Sequence, residues 1–174
     1  MSLLQRIFGE TRQRAALEPL YRSIVAAGRD PSWYREGEVP DTLDGRFDMI
    51  AALLALVLLR LEAAGEAGRG PSVLLTELFI DDMDASLRQI GIGDYVVGKH
   101  VGRMMSALGG RLAAFRDARC GESAFEPAVR RNVFHDAPLS EQAPAWVAAR
   151  LEYFSEALDS QPLDALLEGS IPKP

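Results

Sequence analysis

Apolar residues recur along this chain at three- and four-residue intervals, and no stretch of useful length alternates with the period of two that a strand requires. The spacing predicts a first helix over about 14–27, with Leu17, Leu20, Ile24 and Ala27 on one side. Pro19 lies within it and marks either a kink or the true first turn. A long connection rich in Gly, Pro and Asp follows, "GRDPSWYREGEVPDTLDGR", with Trp33 and Tyr34 as its expected pins.

Met49 to Leu59 is an unbroken apolar run flanked by Asp48 and Arg60. A bilayer span needs about 20 such residues, so the run is too short to cross a membrane. A helix apolar on every side belongs at the centre of a bundle. After "GEAGRGP", Pro71 suits the first turn of a third helix, whose buried stripe is Leu75, Phe79, Met83 and Leu87. Glu77, Asp81, Asp82 and Asp84 decorate its other side. Gly91 suits the left-handed position past its end, with Ile92 folding back on Leu87. Asp94 is the expected N-cap of a fourth helix carrying Val97, Val101, Met104, Leu108, Leu112 and Phe115 inward. Two shorter helices are expected around 127–134 and 144–158, and a loosely held tail over 161–174. The expected architecture is therefore all-α: one domain over 14–160, a bundle of about six helices around a central apolar one.

Composition changes this picture little. A chain of 174 residues with 48% hydrophobic and 25% charged residues is an ordinary globular mix, long enough for one core. A net charge of -6 argues against general nucleic-acid binding. Cys120 is the sole cysteine, so no internal disulfide forms. Residues 1–13 set Leu3, Leu4, Ile7 and Phe8 at helical spacing beside Arg6, Arg12 and Arg14. This segment is either a basic amphipathic stretch able to touch an anionic membrane or a flexible, frayed or core-capping first turn.

One string asks for chemistry. Gly93 to Lys99 spells GxxxxGK, the phosphate-cradling loop of nucleotide-binding proteins. Such a loop leaves a buried strand and enters a helix, whereas here an acidic amphipathic helix precedes it. His100 stands where a hydroxyl for magnesium is needed, and the stretch reads as a helix–helix corner. Asp81, Asp82 and Asp84 lack the irregular loop a calcium site requires. Two histidines, His100 and His135, cannot make a three-histidine zinc site. No nucleophile elbow, CxxC or HExxH motif occurs, so no catalytic residue, metal or cofactor is expected.

The fourth helix is more informative. Gly98, Gly102, Ser106, Gly110, Ala114 and Ala118 are small and four residues apart, and Gly109 adds another glycine. Each interior glycine costs roughly 1 kcal/mol relative to alanine. Two readings stay open: internal packing against the apolar helix, or a groove for a helix of another protein. Lys99, His100, Arg103, Arg111, Arg116 and Arg119 make this helix basic where its predecessor is acidic. Part of that charge is expected to pair across the corner, and the rest to steer a partner or a membrane surface.

Three stretches, "WYREGEVPDTLDGRFDMIAALLALVLLRL", "FIDDMDASLRQIGIGDYVVGKHVGRM" and "LGGRLAAFRDA", resemble the ubiquinol–cytochrome c chaperone family. The resemblance runs over roughly residues 17–154. Val39 to Thr42 with Asp44 to Asp48 match one signature; Asp82, Met83, Asp84, Gly91, Gly93, Asp94 and Lys99 match the other. It implies a helical, non-enzymatic assembly factor of the respiratory bc1 complex. Its mitochondrial members bind newly made cytochrome b at the matrix face of the inner membrane, with a small helical partner and near the translating ribosome. Lacking a presequence, this chain looks like a compact bacterial member, expected in the cytoplasm or on the inner face of the cytoplasmic membrane. Candidate partner contacts are Trp33, Tyr34, Asp41, Arg46, Asp82, Asp84, Gly98, Lys99, Gly102, Arg103, Ser106 and Gly110. Asp44, Gly91 and Asp94 are expected helix caps, and Arg46 is expected to bridge Asp41 or Asp48. The rival readings are an interaction module for a soluble partner or for itself, and a small-molecule enzyme.

Overall fold

The computed structural model describes residues 3–89, 91, 94–135, 137 and 140–174, with the backbone alone for 3–11 and 94–97. Helices α1 (Leu3–Gly28), α3 (Leu43–Ala63), α4 (Glu66–Gln89), α5 (Asp94–Arg119) and α7 (Gln142–Ser160) form the bundle. Short helices α2 (Ser32–Arg35), α6 (Phe125–Val129) and α8 (Leu163–Leu167) link or lock them, and a π-helical turn, Arg130–Phe134, follows α6. The described residues contain no strand.

The apolar run is the axle. From Met49 to Leu59 no residue is more than 6% exposed, and α1, α4, α5 and α7 all pack on α3. Full burial of each of its leucines contributes about 1.5–3 kcal/mol of gross hydrophobic free energy. Phe47 meets Phe79 of α4 at 5.6 Å between ring centroids, and Phe115 of α5 stacks on Phe125 at 5.8 Å. At the far end Arg60 donates to the carbonyls of Leu158 and Gln161, both at 3.0 Å, and so ties α3 to the end of α7.

Three expectations need correction. Thr42, not Asp44, caps α3: its backbone is extended and its Oγ1 accepts from the Gly45 amide at 3.1 Å. Asp44 sits within the first turn, where its charge still favours the positive end of the helix dipole. The helices also begin earlier than their prolines suggested. Pro19 and Pro71 lie inside α1 and α4, and "GEAGRGP" is helical from Glu66. Near Pro71, Ser72 Oγ donates to the Gly68 carbonyl at 2.8 Å, and Gly68 packs on the Leu61 backbone too closely for a side chain.

The tail over 161–174 is docked, not loose. Leu166 is fully buried, and Ile171 packs on the core. Gly169, at φ +97, lies against the Pro19–Leu20 backbone, and its carbonyl accepts from Ser23 at 2.7 Å. A glycine is needed there both for the left-handed backbone and for the close approach. Gly91 takes the expected left-handed conformation, φ +83, with its amide on the Arg88 carbonyl. The Ile92 contact and the Asp94 side chain lie outside the described residues.

Candidate functional site

The long connection is built before any surface can be. Trp33 is fully buried; its indole N–H donates to the Ala27 carbonyl at 2.9 Å, and its ring meets Trp146 edge-on at 6.0 Å. Arg150 lies over both rings, 5.0 and 4.7 Å from their centroids. Trp33 is therefore a core staple with no face for a partner, which removes it from the candidate contacts. Tyr34 is half-buried and donates to the Gly28 carbonyl at 2.7 Å; burial pushes its phenol up to about 12. Arg46 bridges to Asp41 at 2.7 Å, and this holds the Asp41 carboxyl below the usual range.

The three aspartates of α4 are spoken for. Asp81 pairs with Arg14, Asp82 accepts from the Tyr21 hydroxyl at 2.6 Å, and Asp84 pairs with Arg88 at 2.6 Å. Two of the three thus fasten α4 to α1. On α5, Arg116 reaches Glu62 and Arg119 reaches Asp159, each at 2.7 Å. The described pairs run from α5 to α3 and α7 and from α4 to α1, not across the α4–α5 corner.

What remains free is the outer side of α5. Gly98, Gly102, Ser106, Gly109 and Gly110 are exposed and fall within about a third of the helix circumference at 3.6 residues per turn. A Cβ built on any of these four glycines meets nothing within 4 Å. Packing against α3 is therefore overturned for the four glycines and Ser106, whereas Ala114 and Ala118 do pack inward beside Leu108, Arg111 and Phe115. The fourfold spacing drifts, so Ala114 already turns into the core.

Two concavities flank this small-residue face. On one edge an apolar groove of about 750 Å³ runs between α3, α4 and α5, floored by Leu58, Val73 and Leu112 and rimmed by Glu62, Glu66, Arg69 and Glu77. Val73 is 56% exposed, a rare large apolar side chain left bare. On the other edge His100, Arg103, Met104 and Ala107 open a smaller hollow, about 310 Å³, with Asp44, Phe47 and Asp48 of α3. Arg103 holds its guanidinium 3.0 Å from a ring nitrogen of His100, and Lys99 is exposed beside them.

Beneath that hollow lies a cluster the sequence reading missed. Arg111, 1% exposed, pairs with Asp48 and donates to the Asn132 carbonyl at 2.6 Å. His135 Nε2 lies 3.0 Å from the second Asp48 oxygen, which makes His135 a bonded boundary residue at φ +51. Burial pushes the Asp48 carboxyl up, against the pull of Arg111 and His135, and pushes the Arg111 guanidinium down. Arginine nevertheless stays the cation of the pair. The signal was present: Asp48 stands between Phe47 and Met49, and Arg111 three residues after Leu108 on the buried stripe. Two opposite charges on core-facing positions require each other.

Among the described residues the geometry is that of a helical scaffold whose glycine-bearing α5 face is open to solvent. The profile of the ubiquinol-cytochrome C chaperone family matches residues 35–172, from the pinned connection through the docked tail. The chain belongs to that family. As a ubiquinol-cytochrome C chaperone it is a factor of bc1-complex assembly, and both sequence signatures fall inside the match. The crystal structure of the Cbp3 homolog from Brucella abortus is similar at 28% identity and a TM-score of 0.80, over 99% of this chain and 96% of that one. No curated protein matches the chain significantly. Among the described residues no helix is long and apolar enough to cross a membrane.

Proposed function

We propose that this chaperone holds an apolar helix of its client, cytochrome b before assembly, along the outer side of α5, and that it turns nothing over. The observation that carries the reading is the set of α5 glycines open to solvent beside an unfilled apolar groove. Small residues let a second helix approach backbone to backbone, and the groove offers a bed for the larger side chains of that helix. Lys99 and Arg103 flank the face and would orient a client segment by charge. Tyr34, Asp41, Arg46, Asp82 and Asp84 have partners within the chain, which makes them architectural in this reading. The place of action is the inner face of the cytoplasmic membrane, where the client emerges.

Gly102→Leu fills the face and should leave the fold intact, because a Cβ at Gly102 meets no atom within 4 Å. Purified from detergent-solubilised membranes, the wild type brings cytochrome b or bc1 subunits with it, and Gly102→Leu loses them while staying folded. Recovery of cytochrome b with the variant at the wild-type yield rejects this face.

A further inference from the structure

Three arginines from three consecutive elements meet where the chain leaves α1. Arg29 follows the last turn of α1, Arg35 closes α2 and Arg46 lies in the first turns of α3. With Pro31, Tyr34 and Asp41 they line a concavity of about 360 Å³. Its walls are fixed by contacts already described: Trp33 on Ala27, Tyr34 on Gly28, and Arg46 on Asp41 through Nε. Neither Arg29 nor Arg35 has a salt-bridge partner among the described residues. Three cations against one carboxylate leave a surplus of two positive charges, in a chain whose net charge is -6.

Guanidinium groups crowded in this way repel one another, and a doubly charged oxyanion between them would remove that repulsion. Their planar forks suit phosphate oxygens, two N–H donors to each fork. The hollow has more room than a single tetrahedral ion fills, and Pro31 with the Tyr34 ring gives it an apolar wall for an organic remainder.

We propose that this pocket binds the phosphate group of a phosphorylated small molecule or of a phospholipid headgroup. It is separate from the outer face of α5 and independent of the client reading. It is also separable from residues 3–13, because residue 13 lies 15 residues before the end of α1, about 22 Å at 1.5 Å per residue.

The full-length chain serves as the test protein, with Arg29→Gln/Arg35→Gln as the pocket variant. Arg22→Gln/Arg131→Gln removes the same charge elsewhere, and circular dichroism confirms that each is folded. Two probes are used: glycerol 3-phosphate in solution, and vesicles of phosphatidylcholine with or without phosphatidic acid. Each charged hydrogen bond to an anion is worth about tenfold or more in affinity, so the pocket variant should lose tenfold or more and the control variant far less. Binding of glycerol 3-phosphate with that pattern identifies a soluble ligand. Binding of the phosphatidic acid vesicles alone, with the same pattern, identifies a headgroup. Absence of binding to both probes, or equal losses in the two variants, overturns the pocket.

Discussion

Gly45 and Gly68 occupy places where a side chain has no room: a methyl on Gly45 would overlap the Pro40 carbonyl oxygen, and one on Gly68 the Leu61 carbonyl oxygen. On α5 the situation is reversed, and Gly98, Gly102, Gly109 and Gly110 look out on open space. The same residue type thus has an internal reason at Gly45 and Gly68, and none at these four α5 positions or at Gly70 of α4. Glycine in a helix interior costs roughly 1 kcal/mol against alanine, and on α5 no contact within the chain offsets it. On the proposed reading, what makes a bare backbone useful on α5 is the client helix.

The contrast can be broken from either side. The largest effect is expected at a buried ion pair, which has no counterpart on the open face. Arg111→Met leaves Asp48 without its cation and should lower stability by about 3–5 kcal/mol in urea unfolding at neutral pH. Because burial raises the folded-state Asp48 carboxyl above its unfolded value, the protonated form is the one the fold favours. The deficit of Arg111→Met should therefore be smallest below about pH 3.9, the unfolded carboxylate value, and grow as pH rises through the folded value. A deficit that shrinks with rising pH would contradict the assignment. Gly45→Ala comes next, at about 3 kcal/mol or more, since Pro40 and the start of α3 must move apart; a variant as stable as the wild type would show that this contact is slack. Smallest is the effect of Gly102→Leu on stability, an increase of about 0.5–1 kcal/mol from helix propensity alone. A loss of that size instead would mean that the α5 face is packed within the chain.

Much of the fold was readable before any coordinates, and the reason is local. The run from Met49 to Leu59 states its own burial, and Trp33 and the Arg46–Asp41 bridge act within a few residues of their partners. Contacts that close over long distances were not readable. Pro71 looked like a helix start because its neighbours "GEAGRG" are poor helix formers, yet packing of Gly68 on Leu61 overrides that preference. The tail looked loose because its anchors, Leu166, Ile171 and the Gly169 carbonyl, meet residues of the core and of α1 far away in the sequence. Asp48 and Arg111, 63 positions apart, each looked like one charge among several until the bundle brought them together. On α5 the sequence held the small residues and left their direction open; exposure resolved it.

The most direct test of the central reading is photo-crosslinking in cells, with a light-activated amino acid placed at Gly102 and, as a control, at Arg22 on the exposed side of α1. The account predicts an adduct with cytochrome b from position 102, none from position 22, and loss of that adduct when the cytochrome b gene is removed. Capture of cytochrome b from position 22 with nothing from position 102 would contradict it.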